Sequence, residues 1–219
     1  MKKLLLFALP LLILLNSCIG MSLDIQMNKD GSGKAVMEYR ISKILESIGA
    51  LDGNKSMPSI PVGKDDWEKT IARNQGTKLS SYSSRETAQE TTISVTVDFA
   101  DDQALLRLLD PFGEKVSINR RGQSGTLDLI LYDDSVSLND ELYDEAMMSL
   151  MRMFMSGYNV SVSFSGPANS SLTITNGEGS PIPVPPAAKA VVSGRKVSFS
   201  MALMDFFELK DGLGLKFNW

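Results

Sequence analysis

Histidine is absent from the 219 residues of this chain. That excludes Ser-His-Asp and Cys-His triads, histidine general bases and histidine-ligated zinc, and with them most familiar hydrolase mechanisms. There is one cysteine, Cys18, so no intramolecular disulfide can form and the core must hold without a covalent staple. Basic residues are outnumbered, 22 against 26 acidic, for a formal net charge of −4. An acidic balance disfavours nucleic acid and anionic headgroups as non-specific partners. Exact internal repeats are also missing.

What is present begins with Met1–Cys18, MKKLLLFALPLLILLNSC. Lys2 and Lys3 form a positive start, and Leu4–Leu15 is apolar throughout. Twelve residues span ~18 Å as a helix, short of the ~30 Å hydrocarbon layer, and Pro10 weakens that helix further. The segment therefore reads as a removed export signal and not as a permanent span. Its end, Leu15-Asn16-Ser17-Cys18, resembles the lipobox of bacterial lipoproteins. The resemblance implies cleavage before Cys18 and acylation of its thiol, including palmitate-type chains. Two or three chains anchor stably where one is marginal. Loss of residues 1–17 removes two lysines and no acid, leaving 20 basic against 26 acidic residues, a net charge of −6.

The remainder alternates strand and helix signals. Leu23, Ile25 and Met27, then Ala35, Met37, Tyr39 and Ile41, show period two on either side of a turn at Asn28–Gly33. Asn28, Asp30 and Ser32 superficially match a calcium loop, but the twelfth position is Tyr39 where a bidentate glutamate is needed. Ile41, Ile44, Leu45 and Ile48 are spaced for a short helix ending at Gly49. Further helices are expected at Asp65–Asn74 and, capped by Asp101 or Asp102, at Gln103–Leu109. Strands are expected at Lys78–Glu86, Thr91–Phe99, Lys115–Arg121, Thr126–Tyr132, Tyr158–Ser165, Ser171–Thr175, Ala190–Val192, Lys196–Ser200 and the C-terminal Leu213–Trp219 stretch. Met201–Leu209 reads as a helical turn. Ser193 and Lys196 match Ser-x-x-Lys by spacing, but that motif acts on a helix and this stretch reads as a hairpin.

Ser137–Asp140 opens the longest expected helix, Asp140–Ser156. Met147, Leu150, Met151, Phe154 and Met155 form one apolar stripe, enough to pack a helix on a sheet. Met148 and Met153 lie off the stripe, and methionine suits adaptable grooves. Met148, Met153 and Phe154 are thus the candidate ligand- or partner-binding residues, against the plainer reading of a buried core helix.

Paired strands followed by a helix recur near Ser22, Lys78, Lys115 and Tyr158. This predicts an α+β fold, an antiparallel or mixed β-sheet built of hairpins with helices on one face. The expected organisation is 1–17 signal peptide, 18–21 lipidated tether and 22–219 a single domain. Gly166-Pro167, Asn176-Gly177, Val192–Phe199 and Leu203–Phe207, with the Asp30–Gly33 turn and the lipobox, resemble an LppM-type bacterial lipoprotein domain. The chain differs from that pattern in the Pro-rich stretch 178–187. The resemblance implies an α+β lipoprotein domain and a lipid- or glycolipid-binding role; it transfers no catalytic residue.

Three classes of function follow. The first is a membrane-anchored envelope lipoprotein acting as a non-catalytic binding module for a lipid or other apolar ligand. The second is a structural or assembly subunit of an envelope complex. The third, an enzyme using only carboxylate, Ser, Lys and Tyr chemistry, lacks any convergent motif. No cofactor or metal is expected. Ile19 after the cysteine favours the outer membrane over the inner by resemblance to lipoprotein sorting rules.

Overall fold

Period-two alternation turns into strand along most of the chain. The computed structural model describes residues 20–43, 61, 63–111, 113–132, 157–207, 209 and 211–219. Within them run β1 (Met21–Met27), β2 (Gly33–Ser42), α1 (Lys64–Arg73), β3 (Thr77–Glu86), β4 (Glu90–Phe99), α2 (Asp102–Leu109), β5 (Val116–Arg121), β6 (Ser124–Tyr132), β7 (Asn159–Ser165), β8 (Ser171–Thr175), β9 (Lys189–Ser193), β10 (Lys196–Ala202), α3 (Leu203–Phe207) and β11 (Leu213–Asn218). The fold is α+β and dominated by its sheets.

There are two sheets. Seven strands lie in the order β3-β4-β2-β1-β7-β10-β9 and four in the order β5-β6-β11-β8. All neighbours are antiparallel except β1 and β7, which run parallel with Ile25 beside Phe164. Alternation decides what each strand buries. Ile25, Met27, Val162, Phe164, Val197 and Phe199 leave the seven-stranded sheet on one face. They share a core with Leu127, Leu129, Ile174, Leu213, Leu215 and Phe217 of the four-stranded sheet. Phe164 sits 5.4 Å from Phe217 and 5.0 Å from Trp219, ring centre to ring centre. On the same face, farther along β2 and β4, a second cluster forms where Trp67 and Ile71 of α1 cover Tyr39, Ile93, Val95 and Val97. Ala104 and Leu105 of α2 and Phe206 of α3 join the first cluster. Every described helix therefore lies on the face that also carries the second sheet.

Several expectations are refined. The expected single sheet is two. Ile41 belongs to β2, paired with Thr91, because the alternation of Ala35, Met37 and Tyr39 simply continues through it; residues 44–49 of the expected helix lie outside the described residues. The β5–β6 turn is Gly122-Gln123 alone, with Ser124 and Gly125 already paired to Arg121 and Arg120. Met201 and Ala202 end β10 and do not begin the helix. The strands flanking Gly166-Pro167 separate into different sheets, since Gly166 is held to Arg195 and Ser170 to Gly194 by backbone hydrogen bonds.

Candidate functional site

Cys18, Met148, Met153 and Phe154 lie outside the described residues. What the structure does place is the start of β1 from Gly20 onward. Gly20 packs so closely on the Asn159 backbone that a side chain there would run into the Asn159 carbonyl. Gly20 is thus held against β7, and Met21 beside Val160 opens β1 near the middle of the larger sheet. Ser22, Glu38, Arg40, Asn159 and Ser161 surround a small polar notch there, with Arg40 3.6 Å from Glu38 and 3.7 Å from Glu90.

The outward face of the seven-stranded sheet carries no described helix, and its chemistry is distinctive. Register aligns Ser83, Ser94, Glu38, Ser22, Ser161 and Ser200 in one row across six strands. The next row is Ser81, Thr96, Val36, Asp24, Ser163 and Ser198. Strand geometry spaces these side chains about 4.8 Å apart within a row and sets the rows about 6.8 Å apart. A third row is charged: Lys34 reaches Asp98 at 2.8 Å, and Lys196 reaches back to Asp24 at 3.0 Å. Hydroxyls both donate and accept, so this face can hydrogen-bond a flat polar surface but offers nothing to engulf an apolar molecule. Sequence reasoning passes over it, because the alternating serines of β7 and β10 reveal their common row only through register.

Two open hollows flank the β5–β6 hairpin, of about 440 Å³ and 490 Å³. They share Arg120, which is engaged structurally: its Nε donates to Asp102 at 2.7 Å and a terminal nitrogen to the Lys29 carbonyl at 3.1 Å, tying β5, α2 and the β1–β2 turn together. Gly31, at φ +89°, leaves room for this clamp; a Cβ would come within 2.6 Å of the guanidinium. Trp219 lines one hollow over Gly125, where a Cβ would lie 2.5 Å from its ring.

The remaining motif candidates are structural. In the Asn28–Gly33 turn the Asp30 carboxylate accepts from the Ser32 backbone and hydroxyl, which holds its pKa low. Ser193 and Lys196 close a two-residue turn, and the lysine amine is taken by Asp24. No cluster of metal-ligating side chains occurs among the described residues, and none of their helices is long and apolar enough to cross a membrane.

The fold defines the class: an α+β domain of two stacked sheets, mainly antiparallel, with one polar face that no described helix covers. No family model matches the chain, and no curated protein matches it. Among solved structures it is similar to the folded domain of LppM from Mycobacterium tuberculosis, determined by NMR, at 12% identity over 91% of this chain and 88% of that one, with a TM-score of 0.43.

Proposed function

We propose that the chain is a lipid-anchored protein of the bacterial cell envelope that serves as a non-catalytic binding module for a lipid or other apolar ligand. The observation that carries the reading is Leu15-Asn16-Ser17-Cys18, whose cysteine lies only two residues before Gly20, a residue packed on the Asn159 backbone. Such spacing holds the domain against the bilayer, where its ligands would be lipids and envelope components. Ligand contact is assigned to Met148, Met153 and Phe154, whose side chains exceed what one packed stripe requires. A non-catalytic role is supported by four carboxylates taken up in ion pairs: Asp24, Asp98, Asp102 and Asp128 each pair with a cation.

Native mass spectrometry of the detergent-extracted, full-length protein tests the binding role. A bound lipid should travel with the wild type and be lost in Met148→Asp or Met153→Asp with the melting temperature unchanged. A wild type that carries no adduct, or variants that melt as early as Met151→Asp, would contradict it.

A further inference from the structure

The two sheets have four edges, and three are blunted. On β3 a bulge between Leu79 and Ser81, together with Lys78, Arg85 and Glu86, spoils the pairing edge. On β8 the chain folds back, with Pro181 bridging Thr175 and the Ile182 N–H bonded to the Ile174 carbonyl. On β5 the Asp110 carboxylate accepts from the Lys115 and Val116 N–H groups, and α2 packs alongside. The fourth edge, β9, has no bulge and, among the described residues, no chain hydrogen-bonded along its outer side; its one charge is Lys189 at the end of the strand. All five of its residues are exposed, Val191 at 57% and Val192 at 58%.

The backbone of β9 has a defined hydrogen-bonding parity. Ser193 and Lys196 close the two-residue turn Gly194-Arg195, in which Gly194 has φ +60° and Arg195, like every described non-glycine residue, does not have positive φ, the requirement of a type II′ hairpin. The closing residues exchange both their backbone hydrogen bonds, and alternate pairs follow suit. Val191–Ser198 and Lys189–Ser200 therefore bond inward. Ala190 and Val192 turn their N–H and C=O groups outward, and no hydrogen bond to them occurs among the described residues.

We propose that β9 pairs antiparallel with β9 of a second copy of this chain, about a two-fold axis through Val191. In that register Ala190 faces Val192 of the second copy, and the reverse, so the four outward-turned residues satisfy one another with four backbone hydrogen bonds. Val191 meets its own counterpart on the outer face. Lys189 faces Ser193, so no like charges are opposed. The strand is thus complementary to itself in hydrogen bonds, apolar contact and charge, which is what an isologous interface requires. It joins two seven-stranded sheets into one.

Two cysteine variants of the full-length chain test the register directly. Val191 sits in a non-hydrogen-bonded pair, with Cα atoms about 4.5 Å apart, inside the range a disulfide spans. Val192 and its counterpart are diagonal, beyond the ~7 Å limit. Under mild oxidation in membranes, Val191→Cys should give a reducible dimer well above the wild-type background, and Val192→Cys should not. In detergent the wild type should sediment as a dimer. Ala190→Pro removes only an outward N–H and should sediment as a monomer with an unchanged circular dichroism spectrum. Should that variant misfold, the cysteine pair decides. Equal cross-linking of the two cysteine variants, a monomeric wild type, a dimeric Ala190→Pro or a different protein's strand found on β9 would each overturn the proposal.

Discussion

Tyr39 shows how single side chains fix this fold. Its ring is buried under α1, its hydroxyl donates to the Pro61 carbonyl, and the Trp67 indole N–H donates to that hydroxyl at 3.0 Å. Burial, ahead of the other influences, raises its pKa above 10.0. Tyr39→Phe leaves a buried indole N–H without a partner, so chemical denaturation should report a loss of ~1–3 kcal/mol. A second residue answers to pH. Hydrogen bonds from Lys34 and then from Ser80 hold the Asp98 carboxyl below its ordinary 3.8. A carboxyl depressed in the folded state stabilises it fully above the unfolded pKa, and that contribution fades as pH falls through the folded value. Asp98 is exposed enough for the effect to be small. Melting curves between about pH 5 and pH 2 should therefore fall more steeply for the wild type than for Asp98→Asn.

At the scale of elements, helix α2 gives the clearest case of local sequence deciding structure. The Asp101 side chain accepts from the Ala104 N–H at 2.7 Å, and Asp101 itself is extended, as an N-cap must be. Asp101→Ala should cost ~0.5–2 kcal/mol, read as a lower urea midpoint with an unchanged slope. Caps, alternation and glycine turns made this element, the β1–β2 hairpin and the β9–β10 hairpin legible in the sequence. The pairing of strands distant in sequence was not. Nothing local says that β1 runs parallel beside β7, or that Gly166-Pro167 carries the chain from one sheet to the other; those follow from which apolar faces meet, Phe164 against Phe217 and Trp219 above all. The same gap hid the hydroxyl rows. Ser161 and Ser200 alternate correctly within their own strands, but only long-range register sets them in line with Ser22 and Ser94. Ile41 misled for a different reason, because its spacing satisfies a helix and a strand at once.

At the scale of the whole molecule, the proposed anchor at Cys18 sets how the fold would meet a membrane. From Cys18 to Gly20 the chain reaches at most ~7 Å. In the proposed dimer the two-fold axis through Val191 stands perpendicular to the sheet, so two chains acylated at Cys18 would reach a common bilayer with the sheet lying flat on it. The hydroxyl-bearing face, or the layer behind it, would then meet the headgroups broadside. All of this depends on acylation of Cys18, and the intact mass of the protein extracted from its own membranes measures that directly. The account predicts a chain beginning at Cys18 and carrying two or three acyl chains. A mass that retains residues 1–17, or a Cys18 with a free thiol, would contradict it.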